Sequence, residues 1–109
     1  MANICSTSLS IQSEDGFGTD QQVEALRKDI EETVTYDGPT EFGYADEHLI
    51  ECEIATRWNV PTERLQAVAT KHHVNIRAVG REDGCAFVQV VCIDDQGAVV
   101  QDDAINYRF

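Results

Sequence analysis

Two stretches with helical periodicity are set into a chain that otherwise alternates between apolar and polar residues. That order constrains the fold more than any other feature, because a side-chain period near two makes strands and one near 3.6 makes helices. Residues 3–11 alternate, with Cys5, Thr7, Leu9 and Ile11 on one face and Ser6, Ser8 and Ser10 on the other. Ser13 to Gly18 (SEDGFG) then breaks the pattern as a turn. From Thr19 the period changes. Gln22 stands three positions on, at capping-box spacing, and Val23, Leu26, Ile30 and Val34 form one apolar stripe. Residues 35–47 (TYDGPTEFGYADE) read as a long loop, in which Tyr36, Phe42 and Tyr44 either cover the core edge or stand out as contacts.

Alternation returns over residues 48–58. Ile50, Cys52, Ile54, Thr56 and Trp58 face inward, and Glu51, Glu53, Ala55 and Arg57 face outward. Pro61 suits the first turn of a second helix with Leu65, Val68, Ala69 and His72 on its apolar face. Val74, Ile76 and Ala78 belong to a third strand. A turn at Arg81–Gly84 leads to a fourth, from Cys85 to Ile93, that is apolar on both faces. Asp94–Gly97 is another turn, and residues 98–101 and 104–109 extend the hairpin as an edge strand. Strand, helix, strand, helix and further strands make an α+β domain. The expected architecture is ferredoxin-like: a mostly antiparallel sheet of four to five strands with two helices on one face, formed by residues 1–109 as a single domain.

Charge is distributed unevenly along this pattern. Thirteen acids against Arg27 and Lys28 give residues 1–53 a net −11, whereas residues 54–109 carry seven acids and six bases. Such a chain repels nucleic acid and attracts basic proteins. Asp20 and Glu24 suit the positive end of the first helix dipole. Asp29, Glu31 and Glu32 fall at the negative end, where acids are unfavourable, and hint at a purpose other than stability. Glu51 and Glu53 sit about 6.5–7 Å apart along one strand face. That is close to the separation of successive phosphates along a nucleic-acid strand.

The motifs of catalysis are sparse. Cys5, Cys52, Cys85 and Cys92 include no C-x-x-C pair, and their pattern predicts reduced, packed thiols. His72 and His73 are adjacent rather than spaced as a metal-binding pair, so no metal and no cofactor is expected. Gly16-Phe17-Gly18 lacks the third glycine of a phosphate-binding loop. No apolar run reaches the length of a membrane span, and Met1–Cys5 does not look like a signal peptide, so a cytoplasmic protein is expected.

Three segments also carry a resemblance. Met1-Ala2-Asn3-Ile4-Cys5 precedes an alternating strand, Arg57-Trp58-Asn59-Val60-Pro61 is followed by Leu65, and Glu82-Asp83-Gly84-Cys85-Ala86-Phe87 makes an acidic hairpin. In this order they resemble the YubB-type ferredoxin-like domains, carried mainly by plasmids and phages. Where that family often has a tryptophan-rich stretch, this chain reads Glu41-Phe42-Gly43-Tyr44-Ala45-Asp46. The resemblance implies the fold and a mobile-element context, and it brings no reaction and no catalytic residues.

The expected function is therefore non-enzymatic. An acidic, DNA-mimicking surface built from Asp20, Glu24, Glu31, Glu51 and Glu53 would occupy a basic nucleic-acid-binding protein or complex of a host, as anti-CRISPR and antirestriction proteins do. No direct contact with nucleic acid or membrane is expected, and a homodimer remains open. The alternative is an acidic accessory domain without mimicry, whose charge confers solubility and whose partner is of another kind. A small enzyme using a carboxylate or Cys85 is the third possibility.

Overall fold

A computed structural model of the chain describes residues 4–18, 20–34, 41–57, 60–82 and 87–106, with positions 4, 20, 41–46 and 57 described at the level of the backbone. The elements run β1 (Ile4–Gln12), α1 (Asp20–Thr33), β2 (Glu41–Asp46), β3 (Leu49–Arg57), α2 (Thr62–His72), β4 (Asn75–Glu82), β5 (Phe87–Ile93) and β6 (Val99–Asn106). They form a six-stranded sheet in the order β2-β3-β1-β4-β5-β6, with every neighbouring pair antiparallel. Since β1 and β2 both run against β3, they are parallel to each other, and α1 is the crossover between them. Likewise α2 links β3 to β4 across β1. These interleaved units make the first four strands and two helices a ferredoxin-like α+β fold. β5 and β6 extend the sheet beyond β4.

The extra strand relative to the expected four or five is β2, which lies where a long loop was expected. Gly43 and the bulge between Tyr44 and Asp46 interrupt the alternation, so the sequence reads as irregular. The Glu47–His48 turn closes it onto β3 as a hairpin, with Phe42 opposite Cys52 and Tyr44 opposite Ile50. Tyr36 and Trp58 lie outside the described residues, as do Thr19 and Cys85. Of the expected Arg81–Gly84 turn, Arg81 and Glu82 instead belong to β4, held there by pairing with β5, and Asp83 and Gly84 lie outside the described residues.

The core lies between the sheet and the helices. Leu9 and Ile11 of β1 meet Val23, Leu26 and Ile30 of α1, Ile50, Cys52 and Ile54 of β3, and Leu65, Val68 and Ala69 of α2. Ile76, Ala78, Val91 and Ile93 complete it from β4 and β5. The odd positions of β1 are buried while Ser6 and Ser8 are exposed, as the alternation predicts. The helices thus cover one face over β1, β3, β4 and β5, and among the described residues nothing covers the other.

Two local devices set α2. Pro61 occupies the N-cap position, one step before the expected first turn, and its carbonyl accepts the Leu65 N–H at 3.0 Å. At the other end His73 takes a left-handed conformation (φ 53°) and its N–H closes onto the Ala69 carbonyl. The approach to the helix packs against Gly80 of β4. A Cβ there would stand 2.5 Å from Val60 Cγ2 and 3.0 Å from Cys5 Sγ, so only glycine allows this contact.

Candidate partner-binding surface

The uncovered face is defined by register. Glu53, Ser8, Val79, Val90 and Asp103 stand in one row across β3, β1, β4, β5 and β6. The next row holds Glu51, Ser10, Arg77, Cys92 and Gln101, and the row on the other side holds Ala55, Ser6, Arg81, Val88 and Ile105. On the outer side, Glu41 of β2 occupies the register position opposite Glu53, and Gly43 that opposite Glu51. The face therefore runs from an acidic strip on β3, over serines on β1, to Arg77 and Arg81 on β4 and then an aliphatic strip on β5.

Glu51 and Glu53 are exposed on this face. The Ser8 hydroxyl donates to Glu53 Oε1 at 3.5 Å. Among the described residues neither glutamate has an ion pair. The closest cation by register is Arg77, two strands from Glu51 and hence about 9.5 Å away between backbones.

The other three expected contact residues belong elsewhere. Asp20, Glu24 and Glu31 lie on α1, on the opposite side of the sheet, so the five do not form one surface. Asp20 occupies the first turn, and its side chain is outside the description. Glu24 and Glu31 both pair with Arg27, at three- and four-residue spacing on one helix face. The hydrogen bond from Arg27 holds the Glu24 carboxyl below the usual carboxylate range; desolvation opposes it, and the nearby charges of Arg27 and Lys28 add to it.

The acids at the end of α1 also have structural partners. Asp29 is largely buried and accepts from His72 Nε2 at 3.0 Å, with Lys71 Nζ at 3.7 Å. Both partners belong to α2, so Asp29 ties the helices together. Glu32 stands 4.0 Å from Lys28. Stability thus accounts for acids that the helix dipole alone leaves unexplained. Sequence reasoning missed this because the pair spans 43 positions.

A second polar chain links α2 to the sheet edge. The Val60 N–H donates to Gln89 Oε1 at 3.2 Å, and Gln89 Nε2 donates to Asp102 Oδ1 at 2.9 Å. Gln89 is buried, and its amide oxygen satisfies the buried Val60 N–H, which the fold would otherwise strand. Arg77 and Arg81 escaped the sequence reading as face residues, although the alternation that buries Ile76 and Ala78 assigns them outward.

Two of the hollows among the described residues lie on opposite sides of the sheet. One of about 360 Å³ lies between the β1–α1 turn and the end of α2, lined by Ser13, Asp15, Lys71, His72 and His73 among others. Lys71 and His72 there already face Asp29. The other, about 590 Å³, lies on the open face near Ser10, Leu49, Arg77, Cys92 and Val100. Cys5, Cys52 and Cys92 are free thiols, the first two buried. Burial, with the neighbouring Glu53 charge, pushes the Cys52 thiol up to about 12. Among the described residues no group of three His, Cys, Asp or Glu side chains could hold a metal ion, and no helix is long and apolar enough to cross a membrane.

Compared with protein families, curated proteins and solved structures, the chain matches none.

Proposed function

We propose that this protein is a non-enzymatic inhibitor that occupies a basic nucleic-acid-binding surface on a host protein, in the manner of an anti-CRISPR or antirestriction protein. One observation carries the reading: Glu51 and Glu53 project from an uncovered sheet face at near-phosphate spacing, without an ion pair among the described residues. The lopsided charge of the chain and its resemblance to plasmid- and phage-borne YubB-type domains supply the context. Of the five acids expected from sequence, this reading keeps Glu51 and Glu53 as the contact pair. Glu24 and Glu31 are partly neutralised by Arg27 on the far side.

The test is retention of a partner from a host lysate at low salt, followed by E51K/E53K. The doubly reversed protein should lose the partner, with at least about a tenfold fall in affinity, because charge complementarity becomes repulsion. Unchanged retention would refute the reading.

A second reading is favoured by the mixed character of the same face. Val79, Val88 and Val90 form an aliphatic strip beside Arg77 and Arg81, as an accessory interaction domain with a partner of another kind would present. Binding of that sort would survive E51K/E53K and would respond instead to Val90→Asp.

A further inference from the structure

Among the described residues β6 is an outermost strand of the sheet, and that edge supports a more specific assignment. All eight residues of β6 are exposed, on both faces. A bulge occupies its start, where Cys92 pairs with Gln101 but Ile93 pairs with Val99, and residues 101–106 then run in regular register with β5. An edge of this kind presents backbone N–H and C=O groups to any further strand. Its side chains are not those of an inert margin alone: Val100 is 66% exposed and Ile105 64%. Between them stand Asp102, opposite Val91, and Asp103, opposite Val90. The two acids therefore point to opposite faces at the middle of the strand. Among the described residues their partners are neutral amides, Gln89 Nε2 on Asp102 at 2.9 Å and Gln101 Nε2 on Asp103 at 2.8 Å.

This charge pattern selects among occupants. A second copy of β6 would pair antiparallel about a two-fold axis. The two registers with most overlap place Asp102 against its own equivalent or Asp103 against its own, and like charges directly opposite are destabilising. A segment with cations at two adjacent central positions meets both acids, one on each face, while aliphatic residues on either side meet Val100 and Ile105.

We infer that β6 is a docking edge for an extended segment of the partner, about six residues long, with two adjacent lysines or arginines flanked by aliphatic residues. The inference deepens the function proposed above and rests on its premise that the partner is basic. It adds main-chain hydrogen bonding to an attraction otherwise made of charge, and so provides a contact that salt weakens but does not abolish.

The experiment uses the full chain and a synthetic peptide of the form Val-Thr-Lys-Lys-Thr-Val, with a control in which both lysines are glutamate. Amide hydrogen exchange is followed over residues 99–106. At saturating peptide, exchange there should slow at least about tenfold, as expected for amides drawn into a ladder. The glutamate control should give no protection. D103K should weaken peptide binding, and D102K/D103K should abolish it. The single variant guards against any loss of the Gln89 contact to Asp102. Lack of protection at 99–106, or protection that survives D102K/D103K, overturns the inference. The captured partner separates the two claims. If E51K/E53K releases it and D102K/D103K does not, the docking edge fails and the basic-partner reading stands. If neither substitution releases it, both fail.

Discussion

Gln89 shows how much a single side chain settles here. It is buried, accepts from Val60 and donates to Asp102, and so joins the start of α2 to the edge strand. Gln89→Ala should cost about 1–3 kcal/mol in denaturant unfolding, since it strands a buried N–H as well as losing a hydrogen bond. Gln89→Glu should retain the acceptor but place a carboxylate against Asp102, and a stability equal to wild type would refute this role. Cys52 is a residue-scale case with a pH signature. Its folded thiol is raised from 9.0 to about 12 by burial, with Glu53 adding to it. The unfolded thiol ionises first on the alkaline side, so the contribution of this group is fully present below pH 9.0 and is lost as pH rises towards about 12. Alkylation of Cys52 at neutral pH should accordingly be slow until the protein unfolds. Rapid modification of the native protein, located by mass spectrometry, would contradict the placement.

The helices and strands differ in how plainly the sequence announces them. α1 and α2 carry stripes at three- and four-residue spacing, and β1, β3 and β4 alternate cleanly, so their faces follow from period alone. β2 does not, because Gly43 and a bulge break its period, and a strand whose partner supplies the register need not be self-evident. The same limit hides the α1–α2 tie. Asp29 lies where its own helix disfavours it, and only the folded chain brings Lys71 and His72 to it. Asp29→Ala should lower stability by roughly 1–2 kcal/mol, as loss of a largely buried, charge-assisted contact does, with α1 the element whose amide exchange rises most. An unchanged exchange rate in α1 would remove Asp29 from this role. For scale, Ile30→Ala in the fully buried stripe should cost about 2–5 kcal/mol.

At the scale of the whole molecule, the excess of acids in the first 53 residues divides between two sides of one sheet. Sequence alone identifies the charge and assigns Glu51 and Glu53 outward, since alternation is enough for both. It cannot divide five acids between faces, because their common surface depends on where α1 packs. The division has a consequence for Arg27. Arg27→Ala removes the partner of Glu24 and Glu31 and makes the helix side more negative. Affinity for the proposed partner should then stay within about twofold of wild type, because the helix side faces away from the proposed contact and long-range charge is screened at physiological salt. The measurement that bears most directly on the central claim is a competition titration. The retained partner, bound to the wild-type protein, is challenged with its nucleic acid at a series of salt concentrations. Mutual exclusion, with affinity falling steeply as salt rises and lost in E51K/E53K, is the predicted result. Simultaneous binding of protein and nucleic acid to the same partner would contradict it.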